Sequence, residues 1–372
     1  MNIVFAIKAL GNQGGGAERV LVEVASGLAR RGHVVSIVSS DRDGELPYYP
    51  VDERVQLVRL GIGNTVARST ISEVLRRVLR LRRSILDASP DVVVGFMQST
   101  YVPLGFALKG SGVPLIASEH IGPEHYVGRM LERMALNSTP LVATRITVVS
   151  SQIREAFSPW LRRRMVAVSN PVAVAAKAPS PDRAGRGTDG GVLLCVGRLA
   201  PQKDQAVLIS AFALIASEFP EWRLRIVGEG ELREKLQASV DALGLGSQVE
   251  LPGATPLIDE EYAAADLFVL PSSYESFGLA TAEALLHGLP AVGFADCAGT
   301  NELIRDGENG RLVSGPDRAS ALAAVLAALM RDPAERARLA SSSRQWIIQR
   351  YGIEGVLDQW ERLLSEAVSA AR

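Results

Sequence analysis

Short apolar segments recur along this chain, each followed by a stretch of helical periodicity, and that alternation leaves few folds open. Ile3 to Ile7, His33 to Ser39, Asp91 to Met97, Pro114 to Ser118 and Ile146 to Val149 read as strands. After the first of them, Val20, Leu21, Val24, Ala25 and Leu28 fall on one helical face. Strand and helix in repeated series imply a parallel sheet covered on both faces. The series breaks at Ala173 to Gly190, where APSPDRAGRGTDG is rich in Ala, Pro, Gly, Asp and Arg and reads as an interdomain linker. It resumes with Val192 to Gly197, Trp222 to Gly228, Gln248 to Leu251, Asp266 to Leu270 and Pro290 to Phe294. A chain of 372 residues exceeds what one core usually supports. The expectation is therefore an α/β protein of two doubly wound, Rossmann-like parallel-sheet domains facing a cleft. Their bounds are residues 1–172 and 191–345, with a linker at 173–190 and a C-terminal helix at 346–372 that packs across the domain junction and carries Trp346 and Trp360. Open sheets of this kind bind ligands at the carboxyl ends of their strands.

Composition narrows the class. Hydrophobic residues make up 47% with only 5% aromatics, which suits layered α/β packing rather than disorder. The two cysteines, Cys195 and Cys297, have no neighbours at metal-ligand spacing, so neither a disulfide framework nor a structural metal is expected. MNIVFAIKAL lacks the pattern of a secretory leader, and no apolar run reaches the roughly 20 residues that span a bilayer. A cytoplasmic protein is expected, able to rest on the inner face of the plasma membrane. Residues 1–172 carry 21 Lys+Arg against 14 Asp+Glu, a net +7, while the remainder carries 19 against 27, a net −8. The basic first half suits an anionic partner, and no signature of nucleic-acid binding accompanies it.

Three loops carry candidate chemistry. Gly14, Gly15 and Gly16 lie between a strand and a helix with Glu18 in its first turn, a place where a ligand can approach the backbone closely. VGRLAPQKD sets Arg198 and Lys203 behind the strand that opens the second domain, where two cations can neutralise a diphosphate. In PSSYESFGLATAEALLHGLPAV, Glu275 stands before a helix that starts near Gly278, and Glu283 lies inside it. The amides of Phe277, Gly278, Leu279 and Ala280 between them form a helix start suited to a phosphate. Helical throughout, that eight-residue offset would span about 12 Å, too far for the paired carboxylates of a hydrolase at roughly 5 to 9.5 Å. It suits two carboxylates that each hold a hydroxyl pair on either side of a diphosphate.

The ordered set GGGAERV, SEH at 118–120, SNPV at 169–172, VGRLAPQKD, IVGEGELRE, the two glutamates, HGLPAVG and NELIRDGENGRLV closely resembles glycosyltransferase family 4 over nearly the whole chain. The resemblance implies a GT-B fold and transfer with retention of configuration from a nucleotide-diphosphate sugar, without a required metal or other cofactor. The donor would bind mainly the C-terminal domain and the acceptor mainly the N-terminal one. By position, Arg198 and Lys203 match the diphosphate-holding pair, Glu275 the acid at the sugar hydroxyls, Glu283 the ribose ligand and His120 the histidine near the transferred sugar. Gly15 or Gly16 matches the glycine loop that faces the donor, and Gly228, Gly230 and Gly253 line the base. The expected catalytic residues are His120, Glu275, Arg198 and Lys203.

The chain departs from the usual pattern twice. SEH followed by Ile121 replaces T-x-H-D, and DCAGTNELI replaces G-G-P-x-E while Glu302 keeps the acidic position. The expected reaction moves a hexose from a UDP-sugar, or from GDP-mannose, to a glycan or lipid-linked acceptor in cell-surface polysaccharide assembly. An epimerase of nucleotide sugars and a non-catalytic nucleotide-sugar-binding protein are the competing readings. Finally, Arg68 to Leu86 places Ile71, Val74, Leu75, Val78, Leu79 and Ile85 at helical spacing among Arg76, Arg77, Arg80, Arg82 and Arg83. Such a helix could pack inward and still dock on anionic membrane.

Overall fold

In the computed structural model, residues 1–11, 15–61, 71–172 and 190–371 are described. Nearly all of the expected linker, residues 173–189, lies outside them, as do Gly14 and residues 62–70. The chain divides into two compact units, Met1–Pro171 with Ile353–Arg372, and Val172–Gly352.

The first unit has a seven-stranded sheet in the order β3-β2-β1-β4-β5-β6-β7. Its strands are β1 (Asn2–Ala6), β2 (Val34–Ser39), β3 (Gln56–Arg59), β4 (Val92–Phe96), β5 (Leu115–Ser118), β6 (Arg145–Val148) and β7 (Met165–Ala167). Every pairing is parallel. The helices are α1 (Gly16–Arg30), α2 (Ile71–Asp87), α3 (Gln98–Leu108), α4 (Met130–Ser138), α5 (Ser151–Ala156) and α6 (Pro159–Arg162). β1 and β4 are buried on both faces apart from the first residue of β1, as a central strand between helical layers must be.

The second unit has six parallel strands in the order β10-β9-β8-β11-β12-β13. They are β8 (Gly191–Val196), β9 (Trp222–Val227), β10 (Val249–Gly253), β11 (Leu267–Leu270), β12 (Ala291–Phe294) and β13 (Gly310–Val313). Around them stand α7 (Gln205–Ile215), α8 (Arg233–Ala242), α9 (Ile258–Ala264), α10 (Leu279–Leu286), α11 (Ala298–Leu303), α12 (Arg318–Arg331) and α13 (Pro333–Tyr351). In each sheet the strand order reverses once, between β1 and β4 and between β8 and β11. That is where doubly wound sheets open a crevice at the carboxyl ends of their strands.

Three strands escaped the sequence reading: β3, β7 and β13. All are edge strands of three or four residues. With one neighbour each, they need no continuous apolar run, so their sequences QLVR, MVA and GRLV carry little periodic signal.

The expected single helix at 346–372 is two. α13 ends at Tyr351, Gly352 turns the chain with ψ 143°, and α14 (Ile353–Ala371) follows. A Cβ at Gly352 would come 2.4 Å from the carbonyl oxygen of Ile348. Trp346 therefore sits on α13, 5.6 Å from Tyr351 in the second unit, and Trp360 on α14, which belongs to the first. Trp360 is buried against Phe5 and Phe96, and α14 lies along α1 so closely that a Cβ at Gly27 would meet Leu357 at 2.6 Å. Arg31 secures the same contact through Glu354, Asp358 and Glu361, and His33 adds a 2.9 Å bond to Glu361.

In α2 the inward face also differs from the expectation. Leu81 and Ile85 are buried, whereas Leu75 and Leu79 are 59% and 57% exposed. The helix packs on α3, and Arg82 donates to the carbonyl of Ala107, so the buried stripe is rotated away from the 75 and 79 positions.

Candidate functional site

Two groups of candidate residues form, one on each unit, both at strand exits beside the reversal of strand order. On the second unit, β8 leads through Gly197 and Arg198 to a 3-10 turn, Pro201–Lys203, and into α7. Lys203 lays its methylenes over Gly197, 3.6 Å from where a Cβ would stand, and its ammonium pairs with Glu275 Oε1. Ser272, fully buried at the end of β11, donates to the same oxygen at 2.6 Å. The two charged side chains are only 15% and 10% exposed, so the pair is largely removed from water. Beneath it, burial pushes the Cys195 thiol up to about 12, leaving it an inert core residue. Arg198 is exposed and enters no ion pair among the described residues.

The loop from Glu275 to Gly278 is not helical; α10 begins at Leu279, after Gly278 in the left-handed region at φ +84°. The 12 Å expectation therefore does not apply, because it assumed helix throughout. The cap residue is a glycine with no side chain, so the first turn of α10 has no capping carboxylate or hydroxyl. Phe277 is buried edge-on against Tyr351, 5.2 Å between ring centres, and fixes the loop from below. Inside α10, Tyr262 donates to Glu283 Oε2 at 2.7 Å. Tyr262 in turn stacks on His287, whose Nε2 lies 3.2 Å from Asp259.

Gly228 and Gly230 press on the loop that carries Arg198. A Cβ on the first would stand 2.0 Å from the Gly197 oxygen, and on the second 2.3 Å from that of Leu199. Gly228 N also donates to Gly253 O. These glycines are accounted for by the close approach of three strand exits, whatever else they touch.

Sequence reading missed several residues that shape this group. Gln205 is fully buried and donates to the carbonyl of Arg198 at 3.0 Å. Gly299 donates its N–H to the Glu275 carbonyl, and a Cβ there would come 2.5 Å from that oxygen. Glu302, by contrast, is engaged by the Tyr351 hydroxyl at 3.4 Å. A signal for Gly299 was present in the unusual DCAGTNELI; for Gln205 and Ser272 there was none, since a single Gln or Ser carries neither charge nor periodicity that sets it apart.

On the first unit, Gly15 is the cap of α1 with φ −86°, so its glycine is not required by backbone conformation. What it leaves is room: a Cβ would stand 2.2 Å from Glu18 Oε2, because Glu18 folds back over the helix start. Burial pushes that carboxyl up, against the pull of its own backbone amide. Gly16 is the first residue of α1 and is exposed.

His120 leaves β5 with its ring stacked on Phe96 at 4.9 Å. Its Nε2 is 2.9 Å from Ser118 Oγ, and burial lowers its pKa to about 4, so the ring is neutral. The neighbouring Glu119 is the central residue of the SEH segment. It is fully buried, accepts from the hydroxyls of Tyr101 and Tyr126 and from the amide of Ile121, and burial raises its pKa. Met97, at the exit of β4, has φ +67°, a strained conformation for a non-glycine residue beside the same switch point. His125 is 3.6 Å from Glu132, and no group of three or more metal-ligating side chains occurs among the described residues.

Two parallel-sheet units, each with a single reversal of strand order, define an α/β protein of two Rossmann-like domains. The Glycosyltransferase Family 4 model matches residues 14–175 and the Glycosyl transferases group 1 model residues 176–346. The chain thus belongs to the glycosyltransferases of the GT-B type, with a family 4 first domain and a group 1 second domain. An uncharacterised glycosyltransferase of Haemophilus influenzae is 25% identical over 97% of this chain and 99% of its own. An α-1,4-N-acetyl-D-galactosaminyltransferase of Campylobacter jejuni, acting on an undecaprenol-diphosphate-linked glycan, is 25% identical over the full length of both. Among solved structures, Anabaena HepE in complex with UDP and glucose superposes with a TM-score of 0.80 at 22% identity, covering 98% of this chain and 99% of its own.

Proposed function

We propose that this glycosyltransferase moves a hexose-type sugar, with retention of anomeric configuration, from a nucleotide-diphosphate sugar to a glycan or lipid-linked acceptor in cell-surface polysaccharide assembly. UDP-sugars are the favoured donors and GDP-mannose the alternative. The observation that carries the reading is the group formed by Lys203, Glu275 and Ser272 behind the uncapped start of α10. A cation, a carboxylate and helix-start amides on adjoining strand exits are what a diphosphate joined to a sugar needs.

In the proposed mechanism Arg198, Lys203 and the α10 amides stabilise the charge that grows on the departing diphosphate. Oriented donors of this kind contribute roughly 3 kcal/mol each. With the charge met by side chains and amides, no metal is required, and a leaving phosphate oxygen takes the acceptor's proton. Glu275 holds sugar hydroxyls and Glu283 the ribose. The UDP and glucose found with the Anabaena structure and the lipid-linked acceptor of the Campylobacter enzyme support the donor and acceptor classes.

An anionic membrane surface is the proposed platform. Leu75 and Leu79 stand exposed on α2 with Arg76 and Arg80, and Val127, Met130, Leu131 and Met134 are exposed at and before α4. No helix of the described residues is long and apolar enough to cross a membrane.

The deciding experiment supplies a panel of UDP- and GDP-sugars with and without lipid-linked acceptor, in buffer and in EDTA. Nucleotide release that requires acceptor, survives EDTA and yields a product of unchanged anomeric configuration is expected. Sugar interconversion without acceptor would establish an epimerase instead, and nucleotide binding with no turnover a non-catalytic binder. Flotation with anionic liposomes, lost on Arg76→Ser and Arg80→Ser, tests the membrane platform.

A further inference from the structure

The histidine that closes SEH has one ring nitrogen bonded and one not. Nε2 faces Ser118 Oγ at 2.9 Å, while Nδ1 is shut off from solvent and finds no partner in the described chain. Ser118 is fully buried, and its hydroxyl has one other partner, Thr147 Oγ1 at 2.9 Å on the neighbouring strand β6, itself buried.

The three groups form a chain in which protons can run in two directions. If Thr147 donates to Ser118 and Ser118 to Nε2, the neutral ring carries its proton on Nδ1, and that N–H is the one unsatisfied donor. In the reverse order Nε2–H donates to Ser118 and Ser118 to Thr147. The Thr147 hydroxyl then becomes a buried donor with no acceptor and Nδ1 an unfilled acceptor, two orphans instead of one. Each order leaves one buried donor, and the reverse order leaves an unfilled acceptor besides; since buried polar atoms in native chains are almost always paired, the order with the single orphan prevails.

We propose that Ser118 and Thr147 are positioning residues that hold His120 as the Nδ1–H tautomer, so that the one nitrogen left over is a donor, for a substrate oxygen that displaces its present cover, and not a base. Glu119 fixes the backbone on which this depends. Its carboxylate is tied to Tyr101 and Tyr126, eighteen and seven residues away, and to the next amide but one, so the exit of β5 cannot turn. The stacking of the ring on Phe96 sets its plane, and its low basicity keeps Nε2 an acceptor at neutral pH. A neutral donor fits a site where an oxygen gains negative charge or keeps a lone pair free; it leaves proton removal to another group. This inference rests on the proposed transferase reaction for its substrate, though the tautomer itself does not.

With four histidines in the chain, long-range nitrogen-15 spectra of the imidazoles resolve each ring once His120→Asn identifies one of them. In the wild-type protein His120 is expected as a single neutral Nδ1–H species from pH 5 to 8. Ser118→Ala and Thr147→Val should each shift it toward Nε2–H or a mixture, and Thr147→Ser, which keeps the hydroxyl, should restore the wild-type signal. A wild-type ring protonated on Nε2, or a tautomer indifferent to Ser118→Ala, overturns the proposal whatever the enzyme's activity.

In turnover assays Ser118→Ala should lower kcat about tenfold, the effect of one displaced hydrogen bond, with the donor KM within about twofold. The same change in a His120→Ala background should have no further effect. An equal loss in both backgrounds would make Ser118 merely structural and also overturns the proposal. A wild-type protein that turns over no nucleotide sugar refutes the transferase reading and leaves the spectra to decide the tautomer.

Discussion

The two units answer the same topological problem with opposite electrostatics. Beside its switch point, the second unit keeps a cation and a carboxylate in direct contact, Lys203 with Glu275, braced by Ser272. At the corresponding strand exits the first unit offers a neutral imidazole, a strained Met97 and bare glycines, with its one buried carboxylate, Glu119, satisfied by tyrosines. A paired charge taken out of water is strong only while its partner stays, whereas a hydrogen-bonded neutral group holds its geometry without depending on a counter-charge. The second unit thus sets at its strand exits a charge pair that is costly to break, and the first sets neutral groups whose geometry needs no counter-charge.

Changes that break this contrast have effects of decreasing size. Glu275→Ala should cost a factor of about 100 to 1,000 in kcat, the usual loss on removing one oriented group, with thermal unfolding measured alongside; undiminished transfer would sink the assigned role. Lys203→Met in the ligand-free protein strands a largely buried carboxylate and should destabilise the second unit by about 3 kcal/mol. Adding Glu275→Gln should recover much of that in urea titrations, a recovery that the neutral His120 site cannot show.

Away from either site, Gly27→Leu should cost roughly 1 to 3 kcal/mol, because the added side chain meets Leu357 where α1 and α14 touch. Loss of calorimetric stability confined to the first unit's transition is expected. The smallest effect is the pH response of the same contact. His33 chiefly, and Arg31, hold the Glu361 carboxyl below its usual value of 4.5. A carboxyl depressed in the folded state stabilises above the unfolded pKa and loses that contribution as pH falls through the folded one. Stability should thus decline modestly below about pH 4.5, and Glu361→Gln should flatten the decline.

How much of this was legible depended on distance along the chain. The central strands could be read because burial on both faces demands unbroken apolar runs, while edge strands such as GRLV at 310–313 escaped for want of that demand. Arg198, Lys203, Glu275 and Glu283 could be put forward as candidates because each lies in a short ordered motif. Ser272 sits three residues before Glu275, yet nothing in PSSYE says which serine turns toward the carboxylate. The α2 pattern misled because Leu75, Leu79, Leu81 and Ile85 fit more than one helical face, and only the surface beneath, α3 together with the sheet strands, decides which is covered.

The sequence by itself determined the series of βα units and named the loops proposed for chemistry, since periodicity and local motifs are properties of neighbouring residues. Tertiary structure alone decided that Lys203 and Glu275, 72 residues apart, are partners, and that Tyr101 and Tyr126 close on Glu119. It also broke the C-terminal segment at Gly352 and gave α14 to the first unit. The side-chain pairings follow from which strand exits the sheet order brings side by side, and no local pattern encodes that order.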